Sequence, residues 1–284
     1  MPYKKIRFVT DSTCDIPAEY IERFQIAVVP CFINYGGGSY ADDGVELVRE
    51  DYYDKLPSLR PFPTTSAMPP ALVERAVGEA LTQADHVIAV TASSKLSGVN
   101  NAFRLGMQKF PQDRVTLIDS LSTTLGLGWQ VIIGAETAAE TGDVEHVVKT
   151  VARVREAQRV YAALGTLEFL HRGGRVSWAA AGIATLLQIK PIIEVRDGEV
   201  HSLARVRTFR RALDEMIGRL RALGPLDRLA ILYAADRDGA HELLDRIHDI
   251  APADTVYVRI NPAVGTHIGP EGLGFSPVLK SWRL

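Results

Sequence analysis

The chain has 284 residues, 46% hydrophobic and 23% charged, enough for one large domain or two ordinary ones around a substantial core. Its 32 Lys plus Arg and 34 Asp plus Glu are mixed along the chain, which excludes the basic footprint of a nucleic-acid-binding protein. Two cysteines, Cys14 and Cys31, cannot build a disulfide framework; with no run of about 18 apolar residues and no signal-peptide pattern, the expectation is a cytoplasmic protein without stable membrane insertion.

Residues 6–10 read as a buried strand ending in Asp11-Ser12-Thr13, and Pro17 opens a helix to about residue 24. Residues 27–33 read as a second strand. The stretch 34–44, NYGGGSYADDG, is turn-rich with three consecutive glycines, and 49–56 reads as a helix. The segment 57–70, PSLRPFPTTSAMPP, holds five of the 15 prolines. Proline has no N–H to donate, so this is a stiff extended connector with Thr64, Thr65 and Ser66 in its middle, not a helix interior or a central strand. Helix, strand and helix follow at 70–83, 86–91 and 98–109. A strand at 114–118 ends in Asp119-Ser120, and helices cover 123–141 and 144–156.

Strands alternating with helices imply parallel βαβ units, in which ligands bind beyond the carboxyl ends of the strands. Three strand ends carry polar clusters: Asp11-Ser12, the serines of VTASSKLSGVNN (90–101), and Asp119-Ser120. The serines suit two roles, capping a helix or binding an anion at its N-terminus. If the three strands are neighbours, the clusters converge on one crevice and the anion site gains weight.

After residue 159 the pattern changes. A strand at 160–164 leads to a short helix broken at Gly173-Gly174. Residues 179–187, AAAGIATLL, are small and apolar on all sides, as in a buried helix or one lining a cavity. Strands at 189–195 and 199–204 flank Arg196-Asp197-Gly198, a hairpin signal. Helices at 209–222 and 241–250 and strands at 228–234 and 255–260 complete the pattern. The expected architecture is two-domain α/β: an N-terminal parallel Rossmann-like domain, 1–156, a C-terminal mixed-sheet α/β domain, 157–284, and a ligand between them.

Several chemistries lack their motifs. There is no phosphate-binding P-loop, no H-E-x-x-H, and no metal-ligand spacing among the 7 histidines. Gly126-Leu127-Gly128 is half of a dinucleotide fingerprint inside a helical stretch, and Lys95 and Val99 occupy the glycine positions of a nucleophile elbow around Ser97. The stretch NPAVGTHIGPEGLGF, 261–275, sets His267 among Gly265, Gly269, Gly272 and Gly274, a composition that suits backbone shaped closely around a ligand. A lone histidine or arginine is otherwise an ordinary structural residue.

In order along the chain, VTDSTCDIP, TTSAMPP, SSKLSG, DSLSTTLGLG, LEFLHRGGRVS leading to QIKPIIEVRDGEV, and GTHIGP make this sequence resemble the DegV family over almost its whole length. The resemblance implies a long-chain fatty acid as ligand. As with the fatty-acid-binding subunit of bacterial fatty acid kinase, it also implies a separate ATP-dependent kinase protein that converts the bound acid to an acyl-phosphate for phospholipid synthesis. The chain itself is then not an enzyme and carries no cofactor. By motif, Thr65 and Ser97 correspond to hydroxyls that hold the carboxylate, and His267 to a histidine beside it. Arg175 and Arg207 correspond to basic positions on the phosphotransfer or partner surface. Ser12, Ser66, Ser93, Ser94, Gly98, Ser120, Gly265 and Thr266 are additional ligand-site candidates. Ala67-Met68 replaces the usual Gln-Pro, and Glu271 a common glycine, which bears on chain preference and kinase docking.

The chemistry is coherent. A carboxylate removed from water must be hydrogen-bonded, and hydroxyls do this without the fixed charge that would compete with phosphate transfer. A tail of about 14 methylenes at roughly 0.8 kcal/mol each contributes on the order of 11 kcal/mol before ordering costs. The alternative is a stand-alone hydrolase or acyltransferase with Ser97 as nucleophile, His267 as base and Asp11 or Asp119 orienting it. A lipid sensor regulating a partner would use the same pocket.

Overall fold

The structure, a computed structural model, describes residues 4–176 and 189–284. The expected helix at 179–187 lies outside the described residues. Apolar runs build the first sheet: β1 (Ile6–Asp11), β2 (Ala27–Val29), β6 (His86–Thr91) and β7 (Val115–Asp119) lie in the order β2-β1-β6-β7, all parallel. α1 (Ala18–Phe24), α3 (Pro70–Leu81) and α4 (Val99–Gly106) are the helices threaded between these strands. β1, β6 and β7 are adjacent, as the converging clusters require.

The expected strand at 27–33 is two strands in two sheets. Pro30 cannot donate to a ladder, and the Cys31 N–H donates instead to Ser12 Oγ at 3.0 Å, so the chain leaves the first sheet there. β3 (Phe32–Tyr35) then pairs antiparallel with β4 (Gly38–Ala41) and β5 (Thr64–Ser66) in a separate small sheet, β4-β3-β5. Gly36 and Gly37, at φ 58° and 80°, make the β3–β4 turn inside the stretch expected to be irregular. The proline-rich connector contributes β5 as an edge strand, and α2 (Arg49–Lys55) precedes it.

α5 (Thr124–Thr141) is buried on nearly every face because sheets flank it on two sides: it packs on β1 and β6, and on β8 (Val160–Ala163) and β13 (Leu273–Leu279). The Trp129 indole N–H crosses to the carbonyl of Ser276 at 2.9 Å. α6 (Val144–Ala157) starts at Asp143, whose carboxylate accepts from the His146 N–H.

The second large sheet has the order β10-β9-β8-β13-β11-β12, with β9 (Lys190–Arg196), β10 (Glu199–Val206), β11 (Leu226–Tyr233) and β12 (Val256–Arg259). Only β11 and β12 pair in parallel, so the sheet is mixed. Asp197 and Gly198, at φ 53° and 81°, make the expected hairpin turn. α8 (Phe209–Ala222) and α9 (Arg237–Asp245) cover one face around Ile192, Leu229 and Phe275. The helix expected at 241–250 begins earlier because the Asp236 carboxylate caps the Gly239 N–H. The glycine-rich stretch 261–275 is more regular than expected. It holds α10 (Pro262–Ile268) and opens β13, an internal strand of this sheet. Pro277 is tolerated there because it lies beyond the last β8 partner of β13, the Phe275–Tyr161 pair.

Candidate functional site

Between the two large sheets lies a cavity of about 260 Å³. Its apolar wall includes Val160, Ala162, Ile193 and Val195 from the second sheet, with Leu232 and Ile260. Thr65, Ser66, Ser97, Gly98, Arg175 and His267 also line it. Each polar residue arrives on a different support. Thr65 is the middle residue of β5, paired with Ile33. Ser97 and Gly98 follow the β6 turn into α4, Arg175 follows α7 (Glu168–Gly173), and His267 sits in the last turn of α10.

Thr65 Oγ1 and His267 Nε2 are 2.8 Å apart, joining segments 202 residues distant in sequence. Burial, and then the nearby charge of Arg175, push the imidazole down to about 3, so it is neutral at physiological pH. Among the described residues His267 Nδ1 has no hydrogen-bond partner. A bare acceptor is less costly to leave unpaired than an N–H, which favours the tautomer protonated on Nε2. Nε2–H then donates to Thr65 Oγ1, and the Thr65 hydroxyl hydrogen is free to donate onward. Gly173 makes room for the ring: a Cβ there would fall on His267 Nδ1.

Ser97 Oγ accepts from the N–H of Val99, the first residue of α4, at 3.3 Å, which uses a lone pair and not the hydroxyl hydrogen. Accepting from the helix start and donating to an anion are compatible in this one residue. The Arg175 guanidinium donates to the carbonyls of Gly173 at 2.6 Å and Leu96 at 3.4 Å, holding the end of α7 against the β6 loop at the cavity wall. The site therefore offers two hydroxyl donors and a cation around an apolar volume.

The remaining candidates lie off this wall. Ser12 Oγ accepts from the Cys31 N–H and contacts Asp42. Ser93 Oγ donates to Gly198 O at 2.8 Å, tying the β9–β10 turn to the β6 loop. Ser94 is exposed, with its N–H on Asp119. Ser120 is bonded within its own turn to Ser122. Gly265 is packed on the Tyr53 hydroxyl, and Thr266 shares a 2.6 Å hydrogen bond with the Tyr52 hydroxyl. Arg207 is exposed between β10 and α8. Neither acid considered as a triad partner bonds His267: Asp11 accepts from Thr13 and Ala92, and Asp119 from Ser94 and Leu121. His267 bonds Thr65, so no nucleophile–base–acid relay is assembled around Ser97.

Sequence reasoning missed Leu96, Leu170 and Val264, which also line the cavity. Their apolar side chains carry no signal distinguishing a cavity wall from ordinary core. Among the described residues no group of three or more His, Cys, Asp or Glu could hold a metal ion, and no helix is long and apolar enough to cross a membrane.

The model of the DegV family, described as uncharacterised proteins, matches residues 5–280. The chain belongs to the DegV family. A DegV domain-containing protein of Deinococcus radiodurans is 33% identical over 276 residues, which cover 95% of this chain and 96% of the relative. Among solved structures, a DegV family protein from Thermus thermophilus, described by its fatty acid binding, superposes with TM-score 0.89 at 32% identity, covering 97% of this chain and 99% of that one. DegV from Bacillus subtilis, described as a fatty acid binding protein, gives TM-score 0.85 at 25% identity over 98% of this chain and 100% of that one. The DegV fold thus extends over nearly the whole length of this chain.

Proposed function

We propose that this DegV protein holds a long-chain fatty acid in the cavity between its domains, 1–156 and 157–284, and presents it to a kinase partner that forms the acyl-phosphate. The observation that carries the reading is an apolar cavity faced by the Thr65–His267 pair, Ser97 and Arg175. The carboxylate accepts from the Thr65 and Ser97 hydroxyls, and the tail lies on Val160, Ala162, Ile193 and Val195. Neutral His267 acts through Thr65 by orienting its hydroxyl, which leaves the carboxylate without a tight cationic clamp. The fatty-acid binding of the relative from Thermus thermophilus supports the same ligand class. Arg175 beside the cavity and exposed Arg207 are the basic positions offered to the partner and to the incoming phosphate.

Native mass spectrometry of freshly purified protein, followed by solvent extraction, tests the first half. One fatty acid per chain is expected; an empty protein that also refuses added fatty acid would overturn it. Incubation of the loaded protein with ATP and a fatty acid kinase catalytic protein tests the second half, acyl-phosphate being the expected product and its absence counting against kinase presentation. A serine-directed fluorophosphonate that labels Ser97 would instead favour the hydrolase.

A further inference from the structure

The Thr65–His267 contact depends on two segments being brought to one place, and a single buried cluster touches the supports of both. On the Thr65 side, β5 hangs on β3, and β3 begins after Cys31. The Cys31 N–H donates to Ser12 Oγ at 3.0 Å, and the Cys31 carbonyl accepts from the Asp42 N–H at 2.8 Å. On the His267 side, the start of α10 is held by carboxylates. The Asn261 N–H donates to Asp15 Oδ1 at 2.9 Å, and the Ala263 N–H to Asp42 Oδ2 at 3.2 Å. Ser12 Oγ lies 3.2 Å from the same Asp42 oxygen and closes the link between the two sides. Arg49 of α2 faces Asp15 at 3.6 Å and donates to the Arg259 carbonyl at 2.8 Å, just ahead of α10.

Charge within this cluster does not balance. Two buried carboxylates face one guanidinium, Arg49, which pairs with Asp15 and reaches Asp42 only through its charge; among the described residues Asp15 Oδ2 and Asp42 Oδ1 have no hydrogen-bond partner. An uncompensated buried charge is costly, and one proton on the pair removes it. A cleft of about 190 Å³ lined by Ser12, Asp15, Asp42, Asp43 and Arg49 gives that proton a route.

We propose that Ser12, Asp15, Asp42 and Arg49 form a proton-linked positioning unit that sets the contact between Thr65 and His267. The inference rests on the reading of that contact as part of the carboxylate seat. Burial pushes Asp15 up to about 7 and Asp42 up to about 6 against the opposing charge of Arg49, with the charge of Asp42 adding to the rise at Asp15 and that of Asp43 to the rise at Asp42. The pair titrates as a unit. Other groups facing the cluster do not interfere. Burial pushes the Cys14 and Cys31 thiols and the Tyr52 and Tyr53 phenols upward, so they stay neutral. Asp11 is also raised by burial, but its carboxylate is held by Thr13 and Ala92. Between the Asp42 and Asp15 values the pair holds one proton and balances Arg49; above them both acids are ionised, and their repulsion loosens the start of α10. A carboxyl whose folded value lies above its unfolded one binds protons more tightly when folded, so its contribution to stability is present below the ordinary carboxylate value of 3.8 and is lost as pH rises from there through about 7.

The test follows the His267 imidazole by ¹⁵N NMR in ligand-free protein and the affinity for cis-parinaric acid, across the range that brackets both acids, in wild type, Asp42→Asn and Arg49→Lys. Wild type should show one inflection near about 7 in both signals, where the last proton leaves the pair, affinity falling with rising pH by at most about tenfold per pH unit, the limit for one linked proton. Asp42→Asn, which keeps an acceptor for Ala263 and removes the excess charge, should flatten both curves, and Arg49→Lys should retain the inflection. The ligand's own titration is common to all three proteins and cancels in the comparison. A merely structural role for Asp42 would lower affinity at every pH and leave the inflection in place, which would overturn the proposal, as would a flat wild type. Wild type that takes up no probe would overturn the fatty-acid reading and leave the imidazole signals to decide the positioning.

Discussion

Two polar segments reach the cavity, and they are built in opposite ways. The β6 loop, 93–98, carries three hydroxyls, yet they part ways: Ser93 braces Gly198, the Ser94 hydroxyl is exposed while its N–H meets Asp119, and of the three Ser97 is the one that lines the cavity. The stretch 261–269 brings one polar side chain to the cavity, His267, and beside its own helical bonds it is held by partners from far away: Asp15, Asp42, Tyr52, Tyr53 and Thr65. The density of polar residues in a segment therefore says little about how much of it meets a ligand. What matters is which hydrogens remain after the fold has used the rest.

The sharpest way to break this contrast is Gly173→Ala. Its Cβ would fall on His267 Nδ1, so either the ring or the end of α7 must move. Overpacking of this kind costs about 1–3 kcal/mol. Fatty-acid retention in native mass spectra should fall at least as far as for a single hydroxyl deletion, because the displaced ring also loses its contact with Thr65. Thr65→Ala and Ser97→Ala come next: a hydrogen bond to a charged group contributes about 1.5–3 kcal/mol, so each should weaken retention roughly tenfold to a hundredfold in a displacement titration. Unchanged retention in both would refute the hydroxyl seat. Ser93→Ala should separate bracing from binding, lowering stability in urea by about 1 kcal/mol through the lost Gly198 contact while affinity stays near wild type. Ser94→Ala, at an exposed hydroxyl, should shift stability by less than about 0.5 kcal/mol and leave retention unchanged. A large effect at Ser94 would show that the loop contributes to binding through more than Ser97.

Much of the fold was legible because its signals are local. Apolar runs at β1, β6 and β7, the Asp197-Gly198 turn and the amphipathic α8 each follow from short-range periodicity or turn chemistry. The small sheet β4-β3-β5 was not legible, because Pro30 ends one strand and the Ser12 hydroxyl turns the chain into another, a contact across 19 residues. β13 was hidden for a related reason: its Gly274 and Pro277 are poor strand formers, and flanking β8 and β11 decide its conformation.

By itself the sequence determined the parallel βαβ half, the hairpin in the second half, and the polar clusters at three strand ends, whose adjacency came from the sheet order. Thr65, Ser97 and His267 stood out through motif resemblance, not through any spacing that links them. Only the tertiary structure decided that Thr65 meets His267, that Ser97 keeps a free hydrogen while Ser93 does not, and that Asp15 and Asp42 face one cation. Periodicity and turn preference act over a few residues, whereas the partner of a buried polar group is set by packing between segments as far as 202 residues apart.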